Sequence, residues 1–403
     1  LLGIIIFPDT YSALAFGVTI SIALQIFVKS NESFIFREWT LFLYASNYLL
    51  SPAITYQLNP DLVKYGMKIN QDQYFSLAFP GFLLFVVGMF IIPNRLFRPN
   101  LQKVNQATII NEKFLLILTI IGVLLGFIYD LFPGELTFIF YLLSMLRFIG
   151  SFSLFASNPK KHIYLVIVIL LIDLFLGFRA GMYHDAIMWV VFFALFFVYI
   201  QKPRFILKLF GGMGLIILVL FIQAVKKTYR EEVWSGEKEN SIETISSIGS
   251  LKANKESLIG EDNLTSTLSR GNQAWIFAST IDRMERIKDF QGMNNVYKYL
   301  EAALLPRFIA PDKIKSGDQE IFNKYSGHSI NNSTAMGLGI FADGYIAYGE
   351  VGVYVFGFIL GFIFSLTFKI IERWTLISPF YMLLILPLLN YAVRPDCETQ
   401  TIF

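Results

Sequence analysis

The sequence predicts an all-α polytopic membrane protein with about 10–11 transmembrane helices and one large extracytoplasmic loop. Three observations carry this. The chain has 403 residues, 55% of them hydrophobic and 16% aromatic, with a mean hydropathy of +0.56. A soluble domain does not bury that much apolar surface. Apolar runs close to the roughly 20 residues that cross a bilayer recur along the chain. Lys and Arg alternate between rich and poor loops, as the positive-inside rule describes.

The expected spans are Tyr11–Val28, Thr40–Tyr56, Tyr74–Ile92, Phe114–Leu131, Leu136–Ser157, Ile163–Phe178, Ala186–Ile200, Phe205–Ala224, Gly349–Ile371 and Ser378–Val393. Ser46, Asn47, Ser51 and Pro52 interrupt the second. The run Leu1–Phe7 ends at Pro8 and reads as the tail of a further span rather than a cleavable signal peptide. The charged turn before Phe403 leaves room for another span beyond it. Lys29 and Arg37, then Arg95, Arg98 and Lys103, then Lys160 and Lys161, then Lys202 and Arg204, then Lys369 and Arg373 mark the cytoplasmic loops. The alternate loops are poorer in basic residues, except the first, whose Lys64 and Lys68 equal the two of the loop before it; the bias places the long polar stretch from Gln223 to Met336 outside. This divides the chain into a transmembrane bundle (1–225), an extracytoplasmic loop with short helices (226–336) and a C-terminal transmembrane hairpin (337–403).

Within the bundle, Gly122 with Gly126 and Gly357 with Gly361 have the spacing of close helix contacts. Arg147 and Asp173 fall near mid-membrane, where a charge needs a partner. They read as a structural ion pair or as part of an ion path. No internal repeat is evident, which weighs against a repeat-built transporter.

Within the loop, 226–267 is charged and Ser-rich and reads as a mobile run. Leu268–Phe290 has apolar residues at helical spacing (Trp275, Ile276, Ile281, Met284, Ile287), and Asn295–Leu305 forms a second short helix stopped by Pro306. Pro306 and Pro311 stiffen the turn that carries Arg307 and Lys313, and His328 follows in a Gly/Ser/Asn-rich stretch.

The net charge of +3 is spread over loops, which excludes a nucleic-acid stripe. The lone Cys397 excludes a disulfide framework, and three scattered histidines form no zinc motif. No cofactor is expected. Arg residues gathered at one face of a membrane protein suit an anionic lipid-linked substrate, because guanidinium binds phosphate in a fork and stays charged. Arg179, Arg270, Arg283, Arg307 and Lys313 are the candidates, although Arg179 at a span end also fits a side chain reaching to headgroups. His328 is the candidate base by its ordinary pKa, with Glu350 and Asp343 as substitutes. Trp275, Tyr345 and Tyr348 are candidate sugar contacts.

The turn Gly177-Phe-Arg-Ala-Gly181, the Ser269-Arg270 start of a loop helix, the block Leu305-Pro-Arg-Phe-Ile-Ala-Pro-Asp-Lys313, Asp343-Gly-Tyr345 and Tyr348-Gly-Glu-Val-Gly352 resemble bacterial oligosaccharide repeat-unit polymerases of the Wzy type. The Arg-x10-Gly pattern of some members does not occur at Arg270, Arg283 or Arg307. The resemblance implies a GT-C-like, metal-independent glycosyltransferase of the bacterial cytoplasmic membrane. Its substrates would be undecaprenyl-pyrophosphate-linked glycans, joined at the outer leaflet for the polysaccharide of the cell envelope. A chain-length regulator and a flippase are the implied partners besides the bilayer. No Asp-x-Asp stands on the outer loop. An O-antigen ligase-type transferase, a transporter or flippase of a lipid-linked anionic glycan, and a scaffold subunit are the alternative readings.

Overall fold

The computed structural model of the chain describes residues 9–58, 66–98, 106–107, 110–133, 135–180, 184–234, 247, 272–305, 309–315, 317–330 and 336–402. Among them every regular element is a helix. Six helices are long and apolar enough to cross a membrane: Thr10–Lys29, Gln71–Phe90, Glu112–Leu131, Leu136–Ser157, Phe205–Ile222 and Ile340–Thr375. Their outer faces are apolar rather than polar. Phe205, Ile206, Leu207, Phe210, Ile216 and Ile217 all stand exposed on one helix, a surface suited to lipid and not to water.

In chain order the bundle contains α1 (Thr10–Lys29), α2 (Phe36–Ala45), α3 (Ser51–Leu58), α4 (Gln71–Phe90), α5 (Glu112–Ile128), α6 (Glu135–Ser144), α7 (Leu146–Ser157), α8 (Pro159–Ala180), α9 (His184–Gln201) and α10 (Phe205–Trp234). The polar segment after the bundle contributes α11 (Ala274–Ile287), α12 (Met293–Leu304) and α13 (Gln319–Ser326). The chain then re-enters as α14 (Ile340–Thr375), a 3-10 turn with α15 (Ile385–Leu389), and the short α16 (Thr399–Ile402). Side-chain caps start the helices where the sequence offers them. Asp9 accepts from Ser12 N at 2.7 Å, and Asn70 from Gln73 N at 2.8 Å.

Helix association in lipid gains little from apolar burial and depends on close packing. The glycines supply it. A Cβ on Gly357 would stand 2.6 Å from the carbonyl oxygen of Gly81, and one on Gly361 would overlap the backbone of α4. Gly122 of α5 meets the backbone of Arg147 in the same way. Arg147 is paired with Asp173. Its Nη1 also donates to the Ser144 carbonyl and hydroxyl, both at 2.8 Å. The charges are buried and closed on one another, which favours the structural ion pair over an ion path.

Four expectations change. The expected span Thr40–Tyr56 is α2 and α3 joined by a π-helical segment, Ser46–Leu50; Asn47 there donates to the Leu43 carbonyl at 3.0 Å. The expected span Gly349–Ile371 is preceded by eight helical residues and a corner, because α14 starts at Ile340 and breaks at Tyr348 and Gly349. The expected span Ser378–Val393 is helical only over Pro379–Leu389, short of a crossing. The apolar helix of α10 runs on to Trp234 through the start of the stretch expected to be mobile. The rest of that stretch, apart from residue 247, lies outside the described residues.

Two ends of the bundle are distinct. Lys208 Nζ donates to Phe27 O at 2.7 Å, and Arg95 N donates to Glu372 Oε1 at 2.9 Å, at the end that gathers Lys29, Arg37, Arg98 and Lys369. At the other end, Gln73 at the start of α4 bonds Glu285 of α11. The polar segment that carries α11 therefore sits across the bundle from this basic group.

Candidate functional site

The polar segment between α10 and α14 is folded around α11, whose apolar stripe is turned into the molecule. Trp275, Ile276, Phe277, Ile281 and Met284 are all buried. Gln273 ties its start to the re-entering chain, with Nε2 3.2 Å from the carbonyls of Gly337 and Leu338. Asn272 donates to Thr55 Oγ1 at 2.9 Å. A polar side chain, Ser279, sits on the buried stripe of α11, one turn after Trp275.

His328 comes to that serine from the other side. Asp318 caps α13 through the N–H groups of Glu320 and Ile321, at 3.0 and 3.1 Å. Gly327 ends α13 at φ +70°, a conformation that favours glycine. The turn carries His328 back over α11. Its Nε2 lies 3.0 Å from Ser279 Oγ, and its ring meets Trp275 edge-on with centroids 5.2 Å apart. The backbone N–H of His328 donates to Ser326 Oγ at 3.1 Å. Burial, and then the nearby Lys68 charge, hold the His328 pKa below the ordinary value of 6.5. The imidazole is thus biased to its neutral, proton-accepting form at neutral pH. Arg283 stands one turn beyond Ser279. Its Nε donates to Lys324 O at 3.2 Å, and its stem lies 3.5 Å from where a Cβ on Gly327 would be. Lys324 in turn pairs with Asp289 at 2.8 Å.

Behind this pair lies a buried polar clasp. Asp343 is 2% exposed. Its Oδ1 accepts from Tyr299 Oη at 3.0 Å, and its Oδ2 accepts from Thr399 N at 2.9 Å and Thr399 Oγ1 at 2.7 Å. Asn295 Nδ2 donates to Tyr299 Oη at 2.8 Å. The carboxylate thus joins α12, α14 and α16. Tyr299 is buried against this carboxylate, and both effects push its hydroxyl pKa up. Gly349, at φ +61°, makes the corner of α14, and Gly344 packs on Gly352 across it. The two segments therefore need bare backbone at that crossing. Gln291 N and Gly292 N donate to the carbonyls of Ile346 and Ala347, at 3.0 and 2.9 Å, and fasten the α11–α12 link to the corner.

Several placements differ from the sequence-based expectation. Asp343 is an anchor whose acceptors are occupied, not an open base. Trp275 and Tyr345 are 6% and 5% exposed, so their rings face the interior rather than a sugar. Tyr348 and Glu350 flank the corner and are exposed. Lys313 Nζ donates to Leu305 O at 2.5 Å and so braces its own loop. The backbone of Arg179 belongs to α8, but its side chain lies outside what is described; Arg270 and Arg307 lie outside the described residues altogether. The structure thus joins His328, Trp275 and Arg283 and leaves the expected arginine clamp unplaced.

Sequence reasoning missed Ser279, Tyr299, Asn295 and Thr399. Ser279 carried a usable signal, since it is a polar residue on the apolar stripe of an amphipathic helix. Thr399 carried none, because its contact to Asp343 spans 56 residues.

The chain belongs to the family described as "Domain of unknown function (DUF8712)", whose model matches residues 43–375. No curated protein and no solved structure matches the chain.

Proposed function

We propose that the protein polymerises undecaprenyl-pyrophosphate-linked oligosaccharide repeat units at the outer leaflet of a bacterial cytoplasmic membrane. The observation that carries this reading is His328. It is half-buried, biased to the neutral form, oriented by Ser279 and Trp275, and next to the Arg283 segment at one end of an apolar bundle. A lipid-linked substrate would present its head group at such an end while its tail stays in the bilayer. The likeness of Leu305–Gly352 to Wzy-type polymerases supports the same choice.

The reaction needs three parts. An acceptor sugar hydroxyl attacks the anomeric carbon of the growing chain, and the bond from that carbon to the pyrophosphate breaks. His328 takes the hydroxyl proton. The undecaprenyl pyrophosphate leaves with the bonding electrons, and its charge is met by Arg179, Arg270 and Arg307, with Arg283 beside the base. Tyr348 and Glu350 are exposed at the corner of α14, and in this reading they contact the acceptor sugar.

The test is the surface polysaccharide of a deletion strain. Loss of the ladder with one repeat unit retained supports the polymerase. Loss of all attached glycan would transfer the reading to a ligase, and an unchanged ladder would remove both.

A further inference from the structure

The end of the bundle opposite His328 holds a basic pocket. A pocket of about 220 Å³ is lined by Lys29, Ser33, Arg37, Glu38, Asn94, Arg95, Phe97 and Arg98. Four of these side chains are cations and one is a carboxylate. That volume exceeds the share of one water molecule, roughly 30 Å³, several-fold.

The sequence builds the pocket from three pieces: the end of α1 with the turn that follows it (Lys29, Ser33), the first turn of α2 (Arg37, Glu38), and the loop after α4 (Asn94, Arg95, Phe97, Arg98). The Phe34 N–H donates to Phe97 O at 2.8 Å and pins two of them together. Arg37 lies against two rings, with its guanidinium 4.2 Å from the Phe90 ring centre and 5.6 Å from that of Phe97. It is not satisfied there. Its Nε is buried without a hydrogen-bond partner, as is Oδ1 of Asn94. Its nearest carboxylate, Glu38, stands 3.7 Å away and is shared with Lys29 at 4.0 Å, both beyond good hydrogen-bond length. Glu372 accepts from the Arg95 backbone and is neutralised by Lys369 at 2.7 Å. The pocket therefore keeps a positive excess, and one buried guanidinium donor points at no acceptor.

We infer that this pocket binds a phosphate-bearing anion at the membrane face opposite the outer helices. Phosphate oxygens would satisfy the forked donors of Arg37 and Arg98, with Lys29 as a point charge. A membrane phospholipid headgroup and a soluble phosphate or pyrophosphate share that chemistry. The inference does not depend on the reaction proposed for the outer face.

The test uses the full chain in detergent, by native mass spectrometry with phosphatidylglycerol and phosphatidylcholine, and by thermal shift with inorganic phosphate and pyrophosphate. Lys29 and Arg98 reach solvent, so Lys29→Gln with Arg98→Gln leaves the packing of Arg37 intact. The expected result is binding that falls about tenfold, 1.4 kcal/mol, in the double variant. Selective phosphatidylglycerol adducts identify a lipid headgroup as the source. Stabilisation by pyrophosphate or phosphate in lipid-free detergent identifies a soluble anion. Equal phosphatidylglycerol and phosphatidylcholine adducts with no stabilisation by either anion would overturn the site, as would wild-type binding in the double variant.

Discussion

Replacing Asp343 by Ala should loosen the packing of α12 and α16 on α14 before it does anything to chemistry. The carboxylate is buried and serves three donors: Tyr299 Oη, Thr399 N and Thr399 Oγ1. The threonine hydroxyl can rotate toward another acceptor. The Thr399 N–H cannot, and Tyr299 already uses an acceptor site for Asn295. Two donors are thus stranded, at about 1–3 kcal/mol each. Removing a buried carboxylate also removes its own desolvation cost, which offsets part of this. A net loss of about 2–4 kcal/mol follows. Asp343→Asn keeps one acceptor oxygen for Thr399 and can donate to Tyr299, so its loss should be about 1–2 kcal/mol. The assay is thermal unfolding of detergent-purified protein at one scan rate, with limited proteolysis of residues 390–402. The expected order of stability is wild type, then Asn, then Ala, with the tail cut fastest in the Ala variant. An Ala variant that unfolds with wild type and keeps its tail protected would refute the clasp.

The membrane class was legible because apolar runs and basic loops are local signals. Gly357 and Gly361 likewise announced close packing, and the structure sets them against Gly81 and Phe85 of α4. The corner of α14 was not legible. Tyr348 and Gly349 sit inside a run of apolar residues, and hydropathy does not register a single φ of +61°. The second span showed its break in Ser46 and Asn47, but a π segment cannot be told from a loop by composition. At the candidate site, His328 and Trp275 were visible as residues, while their meeting depends on Gly327 turning the chain back over α11. The roles expected for Asp343, Trp275 and Tyr345 were surface roles, because sequence gives side-chain chemistry and not the direction a side chain faces.

His328 should show in pH profiles. Its folded pKa is depressed below 6.5, so its contribution to stability is present above pH 6.5 and declines as pH falls below that value. The acid limb of activity should lie below pH 6.5, and His328→Gln should lose about 10²–10⁴-fold in rate together with that limb. A variant with wild-type rate at all pH values would remove the base. Arg179→Lys should shorten the polymer at normal protein level, because a point charge lacks the planar fork; full activity would mean that Arg179 only reaches to headgroups. Arg270→Ala and Arg307→Ala should each cost about 2.7–4 kcal/mol of transition-state stabilisation, by analogy with one lost oxyanion donor. Unchanged turnover in both would remove the clamp. With Cys397 replaced, single cysteines at Ser250 and Lys202 should label oppositely with an impermeant reagent, and equal labelling would overturn the orientation.

The proposed function is glycosyl transfer between lipid-linked repeat units. Its most direct test mixes the purified full-length protein with undecaprenyl-pyrophosphate-linked repeat units and follows product length and released lipid pyrophosphate together. A polymerase gives a ladder of lengthening glycan, one undecaprenyl pyrophosphate released per bond formed, and loss of both in His328→Gln. A protein that binds the substrate and releases no lipid pyrophosphate, with repeat units left single, would contradict it.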